Sequence, residues 1–101
     1  MESILAKLGR LRGFVVEREC VLSAGSRIDF LIRNSCQSVG LEVKVKGALA
    51  SVQRQLERYA RDPRVESLIL ATTRATHLRL EETFEEQPLP VPLRLVHLRP
   101  F

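Results

Sequence analysis

Asp29, Glu42 and Lys44 are the residues of this chain whose types and spacing best fit chemistry. They lie in the stretch SRIDFLIRNSCQSVGLEVKVK, residues 26–46. Its second half alternates, with Val39, Leu41, Val43 and Val45 on one side of a strand and Glu42, Lys44 and Lys46 on the other. In its first half Ile28, Phe30 and Ile32 form the apolar side, and Arg27, Asp29 and Arg33 lie opposite. Asn34, Ser35, Cys36 and Gln37 have the turn chemistry needed between two antiparallel strands. A turn of that length sets Asp29 directly across from Glu42. Two carboxylates held side by side repel unless positive charge lies between them, and a divalent cation with oxygen ligands is the usual solution. The plainer alternative is two solvated acids on an exposed hairpin face. Lys44 would then only pair with one of them, an interaction worth about 0.5 kcal/mol at a surface.

Asp29 followed, after a spacer, by Glu42-Val43-Lys44 resembles the core of the PD-(D/E)XK nuclease superfamily. Downstream, LASVQRQLERYA reads as an amphipathic helix. Its Gln55 and Tyr59 are similar to the Q-x-x-x-Y element of the RecB-type branch. Upstream, Glu2, Gly13, Phe14 and Arg18 fall on the pattern that opens archaeal Holliday-junction resolvases. The resemblance spans residues 2–60, and the remainder carries no motif. Two positions depart from it. Arg27 stands where the superfamily's name has proline, and Leu22 takes the place of a resolvase serine, with Ser23 one residue late.

The resemblance implies a Mg²⁺-dependent DNA endonuclease, with Mn²⁺ as a substitute, that hydrolyses phosphodiester bonds. Asp29, Glu42, the Val43 carbonyl and Glu2 would hold the metal, with Glu17 or Glu19 as alternatives to Glu2. Lys44 would orient the attacking water or neutralise charge on the phosphate, and Gln55 would reach back toward the metal or the scissile phosphate. Arg18, Arg27 and Arg54 are candidates for phosphate contacts. Tyr59 is expected as a core aromatic whose hydroxyl touches the rim of the site, and it is grouped with the nucleic-acid contacts. With no separate recognition domain, such a protein would select branched DNA or single-strand/duplex transitions over sequence. Other readings stay open: an end-processing or single-strand exonuclease, or a nuclease fold that binds DNA or a protein without cutting. A junction has two-fold symmetry, so resolution calls for a homodimer. The apolar segment PLRLVHLRPF, with no evident partner in the chain, is the expected contact.

Positioning these residues requires a small α/β domain. A chain of 101 residues fits one domain, and 45% hydrophobic residues suffice for a modest core. The net charge of +4, the pI near 9.7 and the excess of arginine over lysine suit a polyanionic partner. Cys20 and Cys36 form no metal-ligand or disulfide pattern, and His77 and His97 stand alone, so none receives a role. No apolar run reaches the length of a membrane span, and a cytoplasmic protein, cellular or viral, is expected.

Helical spacing of Ile4, Leu5, Leu8 and Leu11 predicts a first helix over 2–11 that stops before Gly13. A strand over 14–22, a turn over 23–26 and the hairpin follow. Leu49, Val52, Leu56 and Tyr59 then form the buried stripe of a helix that Asp62-Pro63 ends, with Arg54, Glu57, Arg58 and Arg61 outside. The apolar run 65–72 predicts a strand buried on both faces and delivered parallel by the helical crossover. A short helix within 75–86 and a final strand complete a single domain over 1–101. Its α-β-β-β-α-β core, with a mixed sheet and a C-terminal strand, agrees with the restriction-endonuclease-like fold that the resemblance implies.

Overall fold

The Asn34 side chain decides how the hairpin closes. Its Oδ1 accepts hydrogen bonds from the Cys36 and Gln37 amides, both at 2.8 Å, and its own N–H donates to the Gln37 carbonyl at 2.9 Å. This fixes the register of β2 (Arg27–Arg33) against β3 (Ser38–Lys44), with Arg33 opposite Ser38 and Phe30 opposite Leu41. The computed structural model describes residues 13–99, which also form β1 (Val15–Val21), β4 (Ser67–Thr72) and β5 (Leu93–His97). Helices α1 (Leu49–Tyr59) and α2 (Leu80–Glu86) make the crossovers, and 3-10 turns cover 23–25 and 75–79. The five strands lie in sequence order in one mixed sheet, β1 to β3 antiparallel and β3 to β5 parallel. The helix expected over 2–11, and with it Glu2, lies outside the described residues, as do Pro100 and Phe101.

Val52, Leu56 and Tyr59 of α1 pack on one face of the sheet against Ile28, Leu31, Leu68 and Leu70. Val65, expected as the first residue of β4, is buried in that core but precedes the strand, which begins at Ser67. The C-terminal segment departs further from expectation. Leu93 to His97 pair in parallel with Leu68 to Thr72, so the segment has a partner within the chain after all. Leu93 and Leu95 pack on the core together with Phe84, Leu89 and Val91. The absence of an intrachain partner therefore no longer argues for dimerisation.

The faces of β2 differ from those that strict alternation predicts. Ile28 and Leu31 are both fully buried, although their positions differ in parity. Leu31 stands opposite Gly40, and a Cβ on Gly40 would lie 2.7 Å from Ile28 Cδ1, so both side chains occupy the helix-covered face. The strand therefore turns over at Asp29, and Ile28 does not share a side with Phe30 and Ile32. The neighbouring strand turns with it. Glu19, bracketed by the pairs Arg18–Phe30 and Cys20–Ile28, has φ of 47°, a left-handed conformation. Glu17 and Cys20 consequently meet on one side, with the thiol donating to Glu17 Oε2 at 3.4 Å.

Asp62 ties the end of α1 to the β1–β2 connection. Its buried carboxylate accepts from the Ser23 amide and hydroxyl at 2.6 and 2.9 Å and from the Arg64 amide at 2.8 Å. It also accepts from Arg64 Nε and Nη2 at 3.1 and 3.0 Å, and Nη2 donates onward to the Val21 carbonyl at 2.8 Å. The Arg64 guanidinium, aided by the Ser23 and Arg64 amides, holds the Asp62 carboxyl well below the ordinary carboxylate range. Because the folded value lies below the unfolded value of about 3.9, the unfolded chain takes up the proton first. The stabilisation is complete above the unfolded value and is lost as pH falls through the folded one. Asp62→Asn should cost about 3 kcal/mol at pH 7. Urea unfolding from pH 6 to pH 2 should show stability falling with acid in the parent and a shallower fall in the variant.

Candidate active site

Where β2 and β3 part, the two acids take over the work of the backbone ladder. The paired residues run from Arg33–Ser38 to Phe30–Leu41. One step beyond, the Asp29 N–H donates to Glu42 Oε1 at 3.0 Å, and the Val43 N–H donates to Asp29 Oδ2 at 2.8 Å. Each carboxylate thus satisfies a main-chain donor on the opposite strand. The turnover at Asp29 and the pairing of the acids have one geometric origin.

Glu42 Oε2 receives two further groups. The Tyr59 hydroxyl lies at 3.1 Å and the Lys44 ammonium at 3.3 Å. Tyr59 also stands 2.9 Å from the Arg27 carbonyl, so its single proton is shared between two acceptors. Glu42 is only 4% exposed, on the same side of the sheet as α1, rather than on a solvated hairpin face. Burial raises the Glu42 carboxyl above its ordinary value, and the Asp29 charge adds to that rise. The Asp29 amide and the Lys44 ammonium oppose it. Burial, followed by the Glu42 charge and hydrogen bond, pushes the Tyr59 phenol well above its ordinary range. Two carboxylates facing one ammonium leave a local excess of negative charge when both are ionised.

That donor set suits a hard cation. The strand-joining bond occupies Oδ2 of Asp29 alone. No group of three or more His, Cys, Asp or Glu side chains among the described residues forms a ready-made protein cage. Asp29, Glu42 and the Val43 carbonyl would therefore share a cation with water and substrate oxygens, the pattern Mg²⁺ commonly adopts.

The remaining candidates divide by location. Arg27 and Arg54 are exposed, at the start of β2 and on the outer side of α1. Arg18 is exposed on β1, opposite Phe30. Gln55 is half-buried one turn before Tyr59, and no hydrogen bond joins it to Asp29, Glu42 or Lys44. Tyr59 is 1% exposed and supports Glu42 from behind, which removes it from the surface a nucleic acid would touch. Glu17 pairs with Arg33, and Glu19 is exposed on the strand beside Asp29. His97 lies half-buried at the end of β5.

His77, given no role from the sequence, is fully buried and bonded at both ring nitrogens. Its partners, Thr72 and Gly47, are distant or unremarkable in sequence, so no spacing rule finds them. Arg58, likewise not singled out, donates from Nε to Ser26 Oγ at 3.2 Å, beside Tyr59. A groove of about 680 Å³ between α2 and β5, lined by Phe84, Leu89 and Val91, contains none of the candidate residues.

No protein-family model, curated protein or solved structure matches this chain. The functional reading accordingly rests on the residues and their geometry. Among the described residues no helix is long and apolar enough to cross a membrane.

The raised Glu42 carboxyl has a testable consequence for stability. A carboxyl whose folded value exceeds the unfolded one stabilises the protein below the unfolded value, and that contribution is lost as pH rises through the folded value. Glu42→Gln keeps an acceptor for the Asp29 amide while removing the buried charge. The variant should be more stable than the parent at pH 7, with the gap closing toward pH 4, as read by denaturant midpoints.

Proposed function

We propose that this chain is a metal-dependent nuclease that hydrolyses phosphodiester bonds in DNA, on a restriction-endonuclease-like version of its α/β fold. The observation that carries the reading is the reciprocal bonding of Asp29 and Glu42 across the opened hairpin, with the Lys44 ammonium on Glu42. Surface acids that merely tolerate each other have no cause to be drawn together and half-buried. A pair fixed by its own backbone is preorganised to receive positive charge, and preorganisation is where electrostatic catalysis gains most.

Asp29, Glu42 and the Val43 carbonyl would hold Mg²⁺, with Glu2 as a further carboxylate. The metal's chemistry is to polarise a phosphate oxygen and to lower the pKa of bound water. The chain's own residues supply the rest. The Asp29 and Val43 amides keep the two carboxylates aimed, and Tyr59 keeps Glu42 from rotating away. Lys44, 21% exposed, can reach both Glu42 and a phosphate entering from solvent, so its charge is available as negative charge builds during attack. Arg18, Arg27 and Arg54 would bind the phosphate backbone, which positions DNA without reading sequence. Such a site prefers a DNA shape, a branch or a single-strand/duplex transition. Cutting a two-fold symmetric junction would take a homodimer.

A cleavage panel of branched, nicked, linear and single-stranded DNA tests the reading. Products should appear with Mg²⁺ or Mn²⁺ and vanish with chelator, while Ca²⁺ supports binding alone. Undiminished cleavage in excess EDTA would refute the mechanism. Asp29→Asn and Glu42→Gln should each abolish cleavage while the folded protein still binds DNA. Lys44→Ala should lower the rate at saturating Mg²⁺ by about 10²-fold with little change in the Mg²⁺ requirement. Loss of metal affinity with normal turnover would reassign Lys44.

A further inference from the structure

Residues 45–48 connect β3, which carries Glu42 and Lys44, to α1, which carries Gln55 and Tyr59. This connection joins the two elements whose Lys44 ammonium and Tyr59 hydroxyl both meet Glu42 Oε2. Packing holds little of it, since all four residues are exposed, Val45 to 65%. Gly47 adopts φ of 120°, a backbone state that side-chain-bearing residues rarely take. Polar bonds from the end of β4 hold it instead. The Thr73 amide donates to the Lys44 carbonyl at 3.0 Å and the Thr73 hydroxyl to the Val45 carbonyl at 3.3 Å. His77 Nε2 lies 2.8 Å from the Gly47 carbonyl.

A carbonyl oxygen only accepts, so Nε2 of His77 carries the proton. In the neutral ring this leaves Nδ1 as an acceptor, so the Thr72 hydroxyl, 2.7 Å away, donates to it while Oγ1 accepts the Arg74 N–H at 3.0 Å. One directional chain results: Arg74 amide to Thr72 hydroxyl, Thr72 hydroxyl to imidazole, imidazole to Gly47 carbonyl. His77 and Thr72 are both 0% exposed. A fully satisfied polar chain in a dry interior is stiff, and its members polarise one another. Thr72 also pairs with Lys44 across the β3–β4 ladder, so the chain begins beside the residue whose placement it would control.

We propose that His77, as the Nε2–H tautomer, is a positioning residue that clamps the Gly47 turn and so holds Lys44 at the Asp29–Glu42 pair. Its effect on cleavage rests on the nuclease reading; the clamp itself does not. Two amide variants separate the ring's two bonds. His77→Gln places an amide nitrogen near the position of Nε2 and retains a donor for Gly47. His77→Asn places its amide near Nδ1, keeps the Thr72 contact and cannot reach Gly47.

Amide hydrogen exchange and cleavage kinetics on both variants test the proposal. His77→Gln should keep protection of the Thr73 amide, which donates to the Lys44 carbonyl, and kcat within about twofold of the parent. His77→Asn should lose about tenfold in protection there and about tenfold in kcat at saturating Mg²⁺, with KM for DNA within about twofold. Equal protection of β4 and α1 amides in the two variants would show both folds intact. Variants that behave alike at the Thr73 amide, or a His77→Asn protein with the parent's kcat, would overturn the positioning role. Nitrogen NMR of the unaltered protein should find the proton on Nε2, and a proton on Nδ1 alone would overturn it without any variant. If the unaltered protein cleaves no DNA, the nuclease reading falls, and the exchange contrast still decides the clamp.

Discussion

The exchange of backbone hydrogens between Asp29 and Glu42 is the interaction on which the rest of the site depends. Two strands that part leave main-chain donors without acceptors, and burying such donors costs free energy. Here the acids of each strand satisfy the donors of the other, so opening the hairpin and assembling the carboxylate pair are one event. The turnover also swings Ile28 onto the helix side, where it joins Leu31 in the core. Packing and site geometry therefore support each other. A change that flattened β2 would expose Ile28 and separate the acids together.

This arrangement puts stability and chemistry in opposition. Glu42 is buried beside another carboxylate, which works against its ionised form, yet ionised oxygen is what a cation or a developing positive charge needs. The opposing contributions are local and few: the Asp29 amide and the Lys44 ammonium. Asp62 is the contrasting case. It is as buried as Glu42, but five hydrogen bonds, two of them from the Arg64 guanidinium, make its charge a source of stability. One acid fastens the domain, and burial works against the charge of the other. Sites that store such tension are where function is expected.

Much of this was legible in residue order, and what was not has physical reasons. Strand alternation from Val39 to Lys44 and the Asn34 turn were enough to place Asp29 across from Glu42, because a two-residue period and a short turn leave little freedom. The α1 stripe and the parallel crossover to β4 followed from helical period and an apolar run. Period-two reasoning failed at Asp29 because nothing local announces a left-handed Glu19 on the neighbouring strand. It left open a solvent-facing Glu42, since alternation says which residues share a side but not which side a helix will cover. The partner of β5 was missed because pairing between β4 and β5 depends on the length of the α2 crossover rather than on motif. His77 escaped for the same reason: Gly47 and Thr72 converge on it only in the folded chain.

The most direct measurement is equilibrium binding of Mn²⁺, followed by electron paramagnetic resonance, to the unaltered protein and to Asp29→Asn. It needs no DNA and assumes no cleavage. The geometry requires a saturable site in the unaltered protein that Mg²⁺ competes for and that Asp29→Asn removes, while the circular dichroism spectra coincide. Equal Mn²⁺ binding by both proteins, or none by either, would contradict the claim that the Asp29–Glu42 pair is built to hold a cation.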